Sequence, residues 1–204
     1  MTLEQGSAHI RQYIEDRSGR ELTLEGGVDF AAGTAAGTIF NPIVSDGRFI
    51  VIYPTMYLED DRDTWQGGEH VDAPGMVGSH PRAALDMLRA ARCSTGQLPA
   101  GRPCALELNT DAARQRISQD AAEALRAHIS SFGRRAPDVT VWLDEDDRLI
   151  RIDFARRGGL TTSVELSDFG TPVDANPPAA AALVQPRGPR LISAIRAAFR
   201  GRAP

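Results

Sequence analysis

No lysine occurs in this chain; all 23 basic residues among its 204 are arginine. That absence removes a set of chemistries at once. A Walker-type phosphate loop, a kinase strand lysine and a Schiff-base lysine each need an ammonium that the sequence does not contain. The triplet Asp168-Phe169-Gly170 is therefore not a kinase metal-binding element, and it reads as a strand end followed by a turn. Aromatic residues make up only 6%. No apolar run reaches about 18 residues, which excludes a transmembrane helix on length. A basic surplus is missing as well: the formal net charge is -4, which argues against nucleic acid as the main partner.

Cysteine is almost absent. Cys93 and Cys104 flank a predicted hairpin with its turn near Pro99–Arg102. A turn centred on Ala100 and Gly101 places Cys104 opposite Gln97, so the sulfurs stand roughly 13 Å of strand apart, too far to bridge. A bulge at Gly96 changes that register. A disulfide and a pair of unpaired buried thiols both stay open. The histidines, His9, His70, His80 and His128, share no metal-ligand spacing. The acidic groups Glu69-His70-Val71-Asp72, Glu59–Asp63 and Asp144–Asp147 read as solvated turns. No metal, cofactor or catalytic residue is assigned. A G-x-S-x-G elbow is lacking, and a lipid hydrolase would have to gather Ser, His and Asp from separate loops.

What the sequence does hold is alternation. From Val139 to Leu166, Val139, Val141 and Leu143 alternate with Thr140 and Trp142, Ile150, Ile152 and Phe154 with Arg151 and Asp153, and Leu160, Thr162, Val164 and Leu166 with Thr161, Ser163 and Glu165. A period of two with one apolar face predicts an antiparallel meander covered on one side and wet on the other. Glu145–Asp147 and Gly158-Gly159 are its predicted reversals. Upstream, Ala8–Asp16 fits a strand or a short helix. Arg20–Glu25 alternates with Leu22 and Leu24 on one face, and Gly26-Gly27 is expected to reverse it. Val28–Ala32 and Gly37–Phe40 follow as short strands. Asp46-Gly47 signals a hairpin into Phe49–Tyr53, a segment expected to lie centrally in the sheet.

Residues Pro54–Pro81 read as a polar loop carrying Met56, Tyr57, Trp65 and Met76 over a groove. Helices are predicted from Pro81 to Arg92, with Leu85 and Leu88 near the middle, and from Asp111 to Ser131, with Leu125 at helical spacing. Between them, Leu106 and Leu108 share a strand face. The order of elements predicts an α+β protein with a large antiparallel sheet.

The chain resembles the actinobacterial lipoprotein family of LppX and LprG, whose fold is similar to that of the periplasmic carrier LolA. The resemblance rests on the Trp65 segment before the Pro81 helix, the hairpin ending in Cys104–Asn109, and the pair Val141-Trp142-Leu143-Asp144 and Leu149-Ile150-Arg151. Most specific is Val164-Glu165-Leu166-Ser167-Asp168-Phe169-Gly170-Thr171-Pro172-Val173 leading to Pro177-Pro178. It implies a large curved sheet, a half-barrel over residues 1–178, with helices covering the concave face. It also implies a non-catalytic role in binding and transferring a lipid or lipidated glycan whose acyl chains sit in an apolar cavity.

Periodicity alone reads the apolar strand faces as a packed core; the resemblance makes them cavity candidates. These are Leu22, Leu24, Val51, Leu106, Leu108, Val141, Leu143, Ile152, Phe154, Val164 and Leu166 on strands, Leu85, Leu88 and Leu125 on helices, and Tyr57 and Trp65 at the mouth. A protein-interaction module of the same fold with a filled core is the alternative. Family members carry an export signal and a lipobox cysteine, whereas the first cysteine here is Cys93. The expected location is the cell envelope, at the outer face of the cytoplasmic membrane, if an export signal lies upstream of Met1, and otherwise the cytoplasm. Residues 179–204 form an Ala/Pro-rich tail with a short basic amphipathic helix. Its Arg190, Ile195, Arg196 and Phe199 suit an anionic membrane surface, while docking on its own domain is the simpler reading.

Overall fold

Among the described residues, eleven β-strands join into one antiparallel sheet. In the computed structural model the described residues are 6–15, 19, 21–40, 46–52, 55–59, 64–70, 92–93, 103–107, 138–146, 148–155 and 161–183. The strands are β1 (Ser7–Glu15), β2 (Glu21–Asp29), β3 (Thr34–Phe40), β4 (Gly47–Ile52), β5 (Thr55–Glu59), β6 (Trp65–His70), β7 (Arg92–Cys93), β8 (Pro103–Glu107), β9 (Asp138–Leu143), β10 (Leu149–Ala155) and β11 (Thr161–Ser167). Their order across the sheet is β6-β5-β4-β3-β2-β1-β11-β10-β9-β8-β7. The first six strands form one meander and the last five another. The two meet where β1 pairs with β11, from His9–Ser167 to Glu15–Thr161.

Alternation sets the faces. In β1, Ala8, Ile10, Gln12 and Ile14 are buried while the residues between them reach solvent. The segment that fitted a strand or a helix is thus a strand, because its apolar residues repeat every two positions and partners lie on both sides. The predicted meander after Val139 is present, with Asp144 closing its first turn. The Asp144 amide donates to the Arg148 carbonyl at 2.9 Å, and the amides of Asp146 and Arg148 each donate to Asp144 Oδ1 at 2.9 Å. In β10 the pairing with β9 slips between Leu149 and Arg151. That bulge puts Leu149 on the buried face with Ile152 and Phe154, so Ile150 does not keep the predicted alternation.

Several expectations change. Gly26-Gly27 does not reverse the chain; β2 runs through both, and the turn falls at Phe30–Gly33, where the Ala32 amide donates to Asp29 Oδ1 at 2.8 Å. The Gly26–Gly37 pair has a different purpose. A Cβ on Gly26 lies 2.1 Å from the Ala36 carbonyl oxygen, and one on Gly37 lies 2.1 Å from that of Glu25. Only glycine permits the two backbones to approach so closely.

Residues 55–59 and 65–70 of the predicted polar loop are strands β5 and β6. Met56 and Leu58 bury their side chains in a period of two that surrounding Gly, Asp and Pro had masked. This places β4 third from one end of the sheet rather than at its centre. The hairpin register also shifts: Cys93 faces Leu106, where the predicted turn would have set it opposite Leu108. The helix expected from Pro81 to Arg92 lies outside the described residues up to 91, and its last residue, Arg92, belongs to strand β7; the helix expected at 111–131 and the tail helix also lie outside the described residues.

Candidate functional site

One face of the sheet is wet and carries a ladder of paired charges. Across its middle, Glu25 lies opposite Arg11, Arg11 opposite Glu165, Glu165 opposite Arg151, and Arg151 opposite Trp142. Arg11 pairs with Glu25 at 3.5 Å and Arg151 with Glu165 at 3.5 Å, and their guanidiniums stack on Tyr13 and Trp142. The Asp153 hydrogen bond to Arg151, 2.9 Å from Nε, outweighs partial burial and raises that guanidinium's pKa. Among the described residues, each charge in this ladder has an opposite neighbour, so the middle of the face is self-paired.

The other face, among the described residues, is mostly apolar. One row runs Ile39, Leu24, Gln12, Val164, Ile152, Val141 and Cys104 through seven successive strands. The next runs Leu22, Ile14, Thr162, Phe154, Val139 and Leu106. A third crosses Leu58, Phe49, Gly37, Gly26, Ile10 and Leu166. The side chains of Leu22, Val28, Val51 and Val164 are wholly buried. This band is the candidate site. The sheet gathers Leu22, Leu24, Val51, Val141, Leu143, Ile152, Phe154, Val164 and Leu166 on it, and the register carries Leu106 to the same rows. Leu85, Leu88, Leu108 and Leu125 lie outside the described residues.

Tyr57 and Trp65 fall on the opposite face. Tyr57 pairs with Ile50, and Trp65 with Glu59, whose neighbour Leu58 faces the apolar side. Glu59 is buried there in a two-pronged pair with Arg48, whose guanidinium also lies 5.4 Å from the Trp65 ring. Trp65 is not in a loop; it starts β6 and bridges Leu183. The chain reaches it by a strap. After β11, Asp168 and Gly170 take left-handed backbone angles (φ 46° and 83°), and Gly170 donates to the Ser7 carbonyl at 2.8 Å. Thr171 Oγ1 donates to the Asp168 carbonyl at 2.7 Å, and Val173 seats on Gly27. The strap then runs on to a 3-10 turn at Ala180–Ala182 and to Leu183. The Asp168-Phe169-Gly170-Thr171-Pro172-Val173 motif is an anchor for this crossing.

The solved structure of the lipoprotein LppX from Mycobacterium tuberculosis superposes with a TM-score of 0.51 over 86% of this chain and 96% of that one, at 12% identity. The fold is LppX-like. An uncharacterised conserved protein from Thermus thermophilus aligns with a TM-score of 0.41 at 12% identity, over 91% of this chain and 97% of that one. No family model and no curated protein matches the sequence. In the LppX-like sheet, sequence reasoning singled out the apolar strand residues but passed over two buried polar ones, Gln12 and Thr162. Both were legible as polar letters at positions where the alternation calls for apolar ones.

Proposed function

We propose that this protein is a non-catalytic carrier that holds the acyl chains of a lipid or lipidated glycan against the apolar face of the sheet. The observation that carries the reading is the apolar band across the covered face, set in an LppX-like fold. On this reading the sheet is a half-barrel over residues 1–178, curled where Gly26 meets Gly37. Helices within 81–91 and 111–131 close its concave side in an α+β arrangement. Leu22, Leu24, Val141, Ile152, Phe154 and Val164 line the hollow with Leu85, Leu88 and Leu125 from the helices, in the cell envelope. Each acyl methylene buried there contributes about 0.8 kcal/mol, so affinity follows chain length with no need for a specific polar contact. The tail residues Arg190, Ile195, Arg196 and Phe199 then rest on the membrane that supplies the lipid.

A filled core is the rival reading, and the near-complete burial of the same residues favours it. Native mass spectrometry of the full chain purified from a bacterial host separates the two. The carrier gives an adduct that solvent extraction identifies as an acyl lipid. A clean apo mass together with no response to acyl probes refutes it. Val164→Phe sharpens the comparison: in a hollow the ring is accommodated and lipid uptake falls. In a filled core it overpacks and costs about 1–3 kcal/mol of stability.

A further inference from the structure

Resting on the carrier reading, we infer that the lipid carries an ester carbonyl, or an equally placed oxygen acceptor, that receives a hydrogen bond from Thr162 Oγ1 inside the apolar band. Thr162 is fully buried, yet among the described residues its hydroxyl has no hydrogen-bond partner. Its position makes this costly. It lies directly opposite Ile14 on β1 and Phe154 on β10, and two residues from Val164 on its own strand. A buried hydroxyl without a partner is unfavourable and rare, whereas valine has nearly the same shape and no such cost. Every other position of its row from Leu22 to Leu106 is apolar, so nothing in the packing calls for a hydroxyl here.

A second polar group stands close by. Gln12, also fully buried, pairs with Val164, and the pairing of Ile14 with Thr162 makes it the diagonal neighbour of Thr162 on the same face. The Thr162 hydroxyl can donate to a carbonyl oxygen, an acceptor that a bare hydrocarbon lacks. The pair sits near the seam of the two meanders, at the middle of the sheet. The oxygen it meets therefore belongs to the part of the ligand drawn inside, with apolar chain on either side, and not to a headgroup left in water.

The test uses the delipidated full chain and two probes that differ only in the carbonyl: 1-palmitoylglycerol and 1-O-hexadecylglycerol. Each displaces an apolar fluorophore such as N-phenyl-1-naphthylamine. One hydrogen bond is worth roughly a two- to ten-fold preference for the ester. Wild type is expected to show that preference, Thr162→Ser to keep it, and Thr162→Val to lose it. Thr162→Val is also expected to raise the melting temperature of the lipid-free protein, since it removes the lone hydroxyl. Equal binding of ester and ether by wild type overturns the inference and leaves the carrier reading standing. Binding of neither probe overturns both. A lower melting temperature for lipid-free Thr162→Val, with Thr162→Ser unchanged, shows that the hydroxyl is already satisfied and refutes the proposal independently of binding.

Discussion

Replacing Gly37 by alanine tests whether the sheet depends on the close approach of β2 and β3. The added Cβ lies 2.1 Å from the Glu25 oxygen, 2.7 Å from Gly26 Cα and 2.8 Å from the Glu25 carbonyl carbon. Ordinary contact begins near 3.4 Å, so the strands must separate by more than 1 Å. The obstacle is backbone on every side, and no rotamer relieves it. Separation loosens about two ladder hydrogen bonds, each worth about 1 kcal/mol net, on top of an overpacking cost of about 1–3 kcal/mol. Against this, alanine restricts the unfolded chain and returns roughly 0.4–1 kcal/mol. The balance is a loss of about 3 kcal/mol, with Gly26→Ala equal to it by the same geometry.

Urea denaturation reads the loss as a midpoint lowered by about 1–2 M, for a slope of roughly 2 kcal/mol per molar. Gly27→Ala is the internal control. It lies on the same strand, but its Cβ meets only the Val173 side chain, at 3.0 Å, and that side chain can turn aside. Its midpoint should move by less than about 0.5 M. If Gly37→Ala and Gly26→Ala shift the midpoint no further than Gly27→Ala does, the backbones are not held together at this pair and the reasoning fails.

Other predictions follow from the wet face and the strap. Burial works against the charge on Asp144, but the backbone amide and guanidinium of Arg148 and the amide of Asp146 together lower its pKa below the usual 3.8. A carboxylate with a depressed folded pKa stabilises above its unfolded pKa and ceases to as pH falls through the folded value. Asp144→Ala should thus cost about 1–2 kcal/mol at pH 7, a difference that shrinks below about pH 4 in parallel denaturation curves. Arg48→Ala leaves the Glu59 carboxylate buried without its guanidinium. It should cost about 2–3 kcal/mol, less than a fully buried pair because Arg48 is largely exposed. Arg11→Ala, whose pair with Glu25 is exposed on both sides, should cost under about 1 kcal/mol, and equal losses would remove the distinction. Trp65→Ala should destabilise by about 3–5 kcal/mol and speed amide exchange at Leu183; unchanged exchange there means the strap is held elsewhere.

Legibility in the sequence depended on how much of the ladder each strand carries in its own letters. The meander from Val139 to Ser167 was readable because its apolar face is written in Val, Leu, Ile and Phe, with short polar reversals between. The first meander was harder. Its β2 and β3 carry small residues, and Gly26-Gly27 looks like a turn when read locally, since the requirement for glycine comes from β3, a strand not adjacent in the letters. Strands β5 and β6 hid in a stretch rich in Gly, Asp and Pro, where five or six residues are too few for the period to declare itself. Trp65 reads as a loop residue because a lone large aromatic in a polar stretch invites that reading. Its actual surroundings, Arg48, Glu59 and Leu183, come from three separate parts of the chain.

The two faces of the sheet also carry two different kinds of information. The stretch from Ser167 to Val173, most specific in the resemblance, is spent on turning the chain and pinning it to Ser7 and Gly27. It therefore reports the fold and nothing about a ligand, and a protein could keep every residue of it with a core filled solid. The apolar face reports the reverse. Its aliphatic residues can be exchanged for one another at little cost to the fold, so their identity holds little fold information, yet they are what an acyl chain would touch. Thr162 stands apart because neither packing nor simple greasiness asks for its hydroxyl, and Gln12 is the buried polar residue diagonal to it. If the carrier reading holds, its specificity should be sought at those two positions before the strap motif or the charged ladder.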